Sequence, residues 1–345
     1  MMLMTNLLYE GNSIHVMKQI SENTIDLIYL DPPFFSNRIH ESNSNKSNRL
    51  TFEDVWNNGI DDYLDFMNEI LIQSYKILSR TGSVFLHCDW HAVHYLKVEM
   101  DKIFGSKNFR NEIIWKRHNS QNNSKQGAKL FGRIHDSILV YSKTSDYKWN
   151  QIYAEYSEDY IKRVYRHKDK KTGERYALGD LTGPGGASKG NPHFEFLGFT
   201  RYWRYNKTKM KKLLNEGKIV QPNHISLPKL KRYLKDMGGI PINDIWLDIP
   251  SEQTTNRKSI IYPTQKPVAL LNRIIRCSTD REDLVLDPFC GSGTTLVAAT
   301  QLQRRWIGID KNHQAIETTK KRLSEIGIPN AAYEIIIETL PFIIK

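Results

Sequence analysis

A chain of 345 residues is long enough to bury a full core, and its composition, 39% hydrophobic and 25% charged, excludes a collagen, a coiled coil and wholesale disorder. No apolar run approaches the ~18 residues that span a bilayer, and the opening Met1-Met2-Leu3-Met4-Thr5-Asn6 lacks the basic segment and apolar core of a secretion signal. The net charge of +11 is concentrated: residues 160–240 hold 19 Lys and Arg against 6 Asp and Glu, while the remainder holds 30 against 32. That predicts a nucleic-acid-binding segment on a nearly neutral body, since a phosphate backbone is the commonest partner of such an excess. Cys88, Cys277 and Cys290 are scattered and lack metal-ligand spacing, which predicts a cytoplasmic protein with neither a structural disulfide nor a metal centre.

In chain order, Asn6 to Tyr9 reads as a short edge strand and Ser13 to Ile20 as a helix. Ile25 to Leu30 is a short apolar run ended by two prolines, the profile of a buried parallel strand. Ser36 to Asn48 is polar and reads as a loop, either a lid or plain disorder. Apolar positions from Asp61 to Leu78 recur at helical spacing, Ser83 to His87 reads as a strand, and Trp90 to Phe104 as a helix. Phe109 to Trp115 and Ser137 to Tyr141 are two more strands around a polar loop, Arg117 to Lys129. From about residue 146 the alternation gives way to a basic, aromatic, Gly- and Pro-punctuated stretch with helices at Lys207 to Asn215 and Pro228 to Asp236. Alternation resumes with a helix from Lys266-Pro267 to Cys277, a strand at Leu284 to Leu286, a helix at Thr294 to Leu302, a strand at Trp306 to Ile309 and a helix at Asn312 to Glu325. Ala332 to Ile344 adds a β-segment. One α/β sheet is thus built from both ends of the chain: residues 1–145 and 249–345 are its halves, and 146–248 are inserted between them.

Two stretches carry the chemistry. Asp31-Pro32-Pro33-Phe34 follows a strand, where ligands of open α/β sheets lie. The prolines remove two donors, leaving the Pro32 carbonyl beside the Asp31 carboxylate as acceptors next to a flat ring, which suits an amino group on an aromatic ring. Asp287-Pro288-Phe289-Cys290-Gly291-Ser292-Gly293-Thr294-Thr295 lies between a strand and a helix, and its glycines permit close backbone approach to a ligand. Asp310 ends the next strand, where a carboxylate can bind ribose hydroxyls. Leu296 stands where a dinucleotide fingerprint needs glycine, and no Gly-Lys-Ser/Thr is present, so an adenosine ligand without a phosphate chain fits better.

Asp-Pro-Phe-x-Gly-x-Gly-Thr-Thr together with Asp-Pro-Pro-Phe resembles the S-adenosylmethionine-dependent amino-DNA methyltransferases. The order of motifs (Asp-Pro-Pro-Phe, basic insertion, Thr264-Gln265-Lys266-Pro267, glycine loop) is similar to that of the family's β group. The resemblance covers about residues 5–145 and 240–325. It implies a Rossmann-like fold with a mostly parallel, seven-stranded type of sheet, helices on both faces, a circularly permuted motif order and an inserted target-recognition domain. It implies S-adenosylmethionine as cofactor, held by Asp287, Phe289, Gly291, Gly293, Thr294 and Thr295, with Asp310 on the ribose and Thr264 and Lys266 approaching from their helix. Asp31 and Pro32 would accept the amine of a flipped base, with Pro33 shaping the turn and Phe34 stacking on the ring. Family members acting on adenine N6 usually open the tetrapeptide with Asp and those on cytosine N4 with Ser, so Asp31 favours adenine. The alternatives are cytosine N4 and, less favoured, RNA methylation or an inactive DNA-binding role. Phe34 departs from the commoner Tyr, though stacking needs only the ring. The implied partner is double-stranded DNA, with contacts expected from Arg201, Trp203, Arg204, Lys207 and Lys211, Trp203 being equally suited to the core of the insertion. Homodimers are common in the β group, and a cognate restriction endonuclease is a compatible partner. His87, His91 and His94 line the cleft or cap the next helix in preference to holding a metal.

Overall fold

The computed structural model describes residues 6–36, 38–41, 51–118, 129–221, 223, 225–251 and 265–338. It divides into two compact units, Met1–Ile152 with Asn243–Lys345, and Tyr153–Ile242.

The larger unit is organised on one sheet. Its strands are β1 (Asn6–Glu10), β2 (Ile25–Leu30), β3 (Leu78–Cys88), β4 (Phe109–Lys116), β5 (His135–Ser142), β6 (Ile245–Trp246), β7 (Leu284–Asp287), β8 (Arg305–Asp310) and β9 (Tyr333–Ile337). Across the sheet they run β6-β4-β5-β3-β2-β7-β8-β1-β9. All neighbours are parallel except β5, which is antiparallel to both β3 and β4. The expected sheet is present with one addition, the two-residue β6 at one edge; the β-segment expected within Ala332 to Ile344 is β9, at the other edge. β9 covers β1, so Asn6–Glu10 is an interior strand and not the edge the sequence suggests.

Successive residues of a strand face opposite sides, and Leu27, Ile28, Tyr29 and Leu30 are all buried, so β2 is covered on both faces. The covering helices are α1 (Ser13–Met17), α2 (Ile60–Ile77), α3 (Val93–Met100), α4 (Val268–Ser278), α5 (Thr294–Gln301) and α6 (His313–Glu325). α2 buries Tyr63, Met67, Ile70, Leu71 and Ile77, the 3.6-residue face that its sequence pattern announces. α3 is shorter than the predicted helix, because its last turn widens into a π-helical segment, Asp101–Gly105.

The smaller unit has its own core of Leu181, Phe196, Trp203, Met210 and Ile219. A four-stranded antiparallel sheet, a hairpin (His193–Phe196 with Phe199–Tyr202) and a helix (Lys207–Asn215) surround it. Two expectations are corrected here. Pro228 to Asp236 is not a helix: Lys229–Tyr233 is a strand paired with Arg175–Asp180 and Ile219–Val220, followed by one 3-10 turn. Ladder hydrogen bonds on both sides outweigh the modest helical preference of Lys-Leu-Lys-Arg. Trp203 is fully buried, and its indole N–H donates to the Phe194 carbonyl at 2.8 Å, so it is core and not a DNA contact.

Removing that ring should therefore cost stability directly. Trp203→Ala is expected to destabilise the smaller unit by about 3–5 kcal/mol, read by urea unfolding followed by tryptophan-independent circular dichroism. A loss below about 1 kcal/mol would contradict the core assignment.

Candidate active site

Asp31 leaves the carboxyl end of β2, and Asp287 ends β7. These strands are parallel neighbours, with Leu27 beside Val285 and Ile28 beside Leu286, so the two Asp-Pro loops emerge side by side. Asp310 ends β8, the next strand across, whose Gly308 lies beside Asp287. All three carboxylates line one cavity of about 390 Å³, together with Pro32, Pro33, Phe34, Lys266, Phe289, Gly291, Thr294 and Thr295. Gly293 is the turn into α5 and does not itself line the cavity. Its φ is 75°, and a Cβ there would lie 2.6 Å from the Thr319 side chain, so only glycine closes this turn.

The two inner carboxylates hold the loop together. Asp287 accepts the Phe289 N–H at 3.0 Å and the Thr295 hydroxyl. Asp310 accepts the N–H groups of Gly291 at 2.9 Å and Asn312 at 2.8 Å. Burial pushes the Asp287 carboxyl up to about 7, against the bonds from Thr295 and Phe289, with the charges of Asp31 and Asp310 adding to the rise. Burial raises Asp310 as well, opposed by its two backbone bonds. A buried Gln265 Oε1 on the same wall has no hydrogen-bond partner. The cavity thus presents acceptors in a low-dielectric pocket, and a cationic ligand with hydroxyl donors relieves both raised carboxylates. S-adenosylmethionine fits that description, with Asp310 and Asp287 as the acidic side and the glycine loop as the close-approach side.

Asp31 stands at the outer wall. Lys266 Nζ donates to its two carboxylate oxygens at 2.8 and 2.7 Å and lies 4.9 Å from the centre of the Phe34 ring. The sequence directs Lys266 towards the cofactor; the structure sets its ammonium on Asp31. Thr264 lies outside the described residues, as do residues 37 and 42–48 of the stretch expected to be a loop; its part Arg38–Glu41 is instead a strand, paired antiparallel with Thr51–Asp54. Phe34 also stacks on His87, with ring centres 5.7 Å apart and planes 23° apart. His87 is wholly buried, hydrogen-bonded through Nδ1 to the Tyr29 hydroxyl at 2.8 Å and through Nε2 to Asp136 at 3.1 Å. His91 instead pairs with Asp89, whose carboxylate also accepts the His91 N–H at 2.9 Å. Among the described residues no cluster of His, Cys, Asp and Glu is arranged to hold a metal.

Three supporting residues escape a reading of the sequence. The local pattern groups His87 with its histidine neighbours, and nothing in it separates the one that supports Phe34. Asp136 heads an apolar strand like any other. Asp54 accepts the N–H groups of Phe35 at 3.1 Å and Ser36 at 2.6 Å and the Trp56 indole N–H at 2.8 Å, bracing the backbone just after Phe34. Phe35 there has φ 59°, a left-handed conformation that costs a non-glycine residue on the order of 1 kcal/mol and needs such bracing. In the smaller unit Arg201, Arg204, Lys207 and Lys211 are exposed, whereas Trp203 is not.

A mostly parallel sheet with two Asp-Pro loops and a third carboxylate on three adjacent strand ends is a Rossmann-like fold with an acidic cavity at the carboxyl edge of its sheet, where ligands of such sheets lie. The N6/N4 methyltransferase profile, described as DNA methylase, matches residues 25–321. The chain is 32% identical over 344 residues to the Type II methyltransferase M.EcaI of Enterobacter cloacae, covering 96% of this chain and 72% of that one. It is 25% identical over 316 residues to the DNA adenine methyltransferase YhdJ of Escherichia coli K12, covering 91% and 81%. In fold it matches a Thermus thermophilus protein solved as a DNA modification methylase with S-adenosyl-L-methionine, with TM-score 0.53, 16% identity and coverage of 97% and 100%. The chain belongs to the S-adenosylmethionine-dependent amino-DNA methyltransferases; it is a DNA methyltransferase whose cofactor is S-adenosylmethionine.

The raised Asp287 has a measurable consequence. The folded protein keeps this proton up to about pH 7, while the unfolded chain releases it near the ordinary carboxylate value. Between those limits the folded state binds more protons, so the contribution is present at low pH and lost as pH rises through the window. Asp287→Asn, which keeps an acceptor for Phe289, is expected to stabilise the cofactor-free protein at pH 8 by on the order of 1–4 kcal/mol, and by clearly less at pH 4.5. Equal differences in urea unfolding at the two pH values would contradict this.

Proposed function

We propose that the protein methylates the exocyclic N6 amine of adenine in double-stranded DNA, the base being flipped into the cavity against Phe34. The observation that carries this is the Asp31 carboxylate, salt-bridged to Lys266 beside the Phe34 ring, in the same cavity as the Asp287–Thr295 loop. A salt-bridged carboxylate is acceptor-only and so selects a donor amine over a carbonyl edge. An aromatic amine is a poor nucleophile because its lone pair is delocalised into the ring. Asp31 and the Pro32 carbonyl, by accepting its two N–H bonds, draw it towards tetrahedral geometry and aim the lone pair. Phe34, propped by His87, fixes the plane of the base. The bound cofactor supplies an electrophilic sulfonium methyl. Asp287, Asp310 and the glycine loop hold that cofactor, and an Asp31 oxygen is available for the proton that the methylated amine sheds.

Adenine is favoured by Asp at the head of the tetrapeptide and by a relative named as an adenine methyltransferase. The basic smaller unit supplies the duplex-binding surface, with Arg201, Arg204, Lys207 and Lys211 as phosphate or base contacts. Relatives named as Type II methyltransferases support a restriction–modification setting.

The test is methyl transfer from labelled S-adenosylmethionine to unmethylated genomic DNA, followed by nucleoside mass spectrometry. Wild type should yield N6-methyladenine, and Asp31→Ala should lose at least about 100-fold in rate while still binding cofactor. N4-methylcytosine as product would overturn the base assignment, and unmodified DNA despite cofactor binding would overturn the reading as a whole.

A further inference from the structure

Taking a base out of a duplex breaks its stacking, and a protein can refill the gap with an apolar side chain inserted between bases. Such a wedge must be apolar, exposed, flanked by cations and placed at the edge of the sheet that carries Asp31. β4 and β3 run in the same direction, each antiparallel to β5, so the end of β4 and the start of β5 lie at that edge. The segment from Lys129 to Ile134 leads into β5 there, its root closed by the Arg117 N–H donating to the Ile134 carbonyl at 2.8 Å. β5 lies two strands from β2, roughly 10 Å by the usual spacing.

On this segment Phe131 is 98% exposed, the most exposed large hydrophobic side chain among the described residues. Lys129 and Arg133 flank it, both exposed. The Arg133 guanidinium lies 3.5 Å from the centre of the Trp90 ring, which follows β3, so one side of the segment is anchored while Phe131 is left free. The rival apolar groups at this edge are less suited. Trp90 is 44% exposed, less than half as much as Phe131, and its ring is engaged by Arg133 and by His91, whose ring centre is 3.7 Å away. Leu247, past β6, is less exposed than Phe131, at 65%, and has no cation beside it in sequence. The root of the segment is also joined to the site: Arg117 pairs with buried Asp136 at 3.1 Å, Asp136 with His87, and His87 carries Phe34.

We propose that Phe131 is the wedge that enters the DNA stack and fills the space left by the target base, with Lys129 and Arg133 on the adjoining phosphates. This rests on the reading of the protein as a base-flipping DNA methyltransferase. To test it, wild type first methylates plasmid DNA and the modified position is mapped by sequencing. Two short duplexes are then made on that sequence, one fully paired and one with an abasic site opposite the target, where stacking is already weakened. Phe131→Ala should lower kcat/KM on the paired duplex by at least about tenfold and lose much less on the abasic one. Phe131→Trp should restore most of the paired-duplex activity, and neither variant should change the thermal midpoint, since the side chain is almost fully exposed. Wild-type activity in Phe131→Ala, or an equal loss on both duplexes, would overturn the wedge. A wild type that modifies neither plasmid nor duplex would instead overturn the base-flipping reading beneath it.

Discussion

The pairing of β2 with β7 is the constraint on which the site depends. Each strand is a short, mostly apolar run. The Asp26 carboxylate of β2 accepts the Leu284 N–H at 3.0 Å where β7 begins, and burial on both faces sets the register beyond that point. A slip of one residue would turn every side chain to the opposite face and carry Asp31 out of the cavity. With Ile28 beside Leu286, two Asp-Pro loops from opposite ends of the chain end at the same level and line one cavity. The order in which the chain supplies these strands is then immaterial to the chemistry, which is why a permuted motif order and an insertion are compatible with an intact site.

The site is maintained against local cost. Asp287 and Asp310 are carboxylates that burial raises, and Phe35 holds a left-handed backbone. None of these improves the fold by itself. They persist because the glycine loop is tied by Asp287 and Asp310, and the turn after Phe34 by Asp54, so that hydrogen bonds offset the burial and the strain. A cofactor with a positive charge and hydroxyl donors complements the two raised carboxylates, so its binding and the stability of the fold are coupled there.

Much of this is legible in the sequence because it is carried by local signals. Ile25–Leu30 with its double proline reads as a strand ended at a ligand edge, and Gly291 with Gly293 reads as a tight loop before a helix. Long-range pairing is where local reading stops. Asn6–Glu10 has the length of an edge strand, and only β9 makes it interior. Lys229–Tyr233 alternates too briefly to declare itself a strand until Arg175–Asp180 lies alongside. Trp203 sits in a cationic run that suggests a nucleic-acid contact, yet the same ring is the largest side chain in a small core and is drawn into it. The resemblance directs Lys266 to the cofactor, whereas its ammonium lies on Asp31, because spacing says where a helix starts and not where a flexible four-carbon stem ends.

The contacts around Phe34 explain how separate parts of the chain become one wall. Lys266, just before α4, holds Asp31 and lies over the Phe34 ring, while His87 from β3 stacks on that ring. Asp136 from β5 orients His87, and burial, which would raise that carboxyl, is overcome by the His87 hydrogen bond and the nearby Arg117 charge, which hold it below the usual value. A buried carboxylate of this kind is tolerated only while both partners are in place. The Phe34 ring therefore acquires its orientation only when β2, β3, β5 and the segment before α4 are all folded, and no one of them can be loosened without loosening the ring.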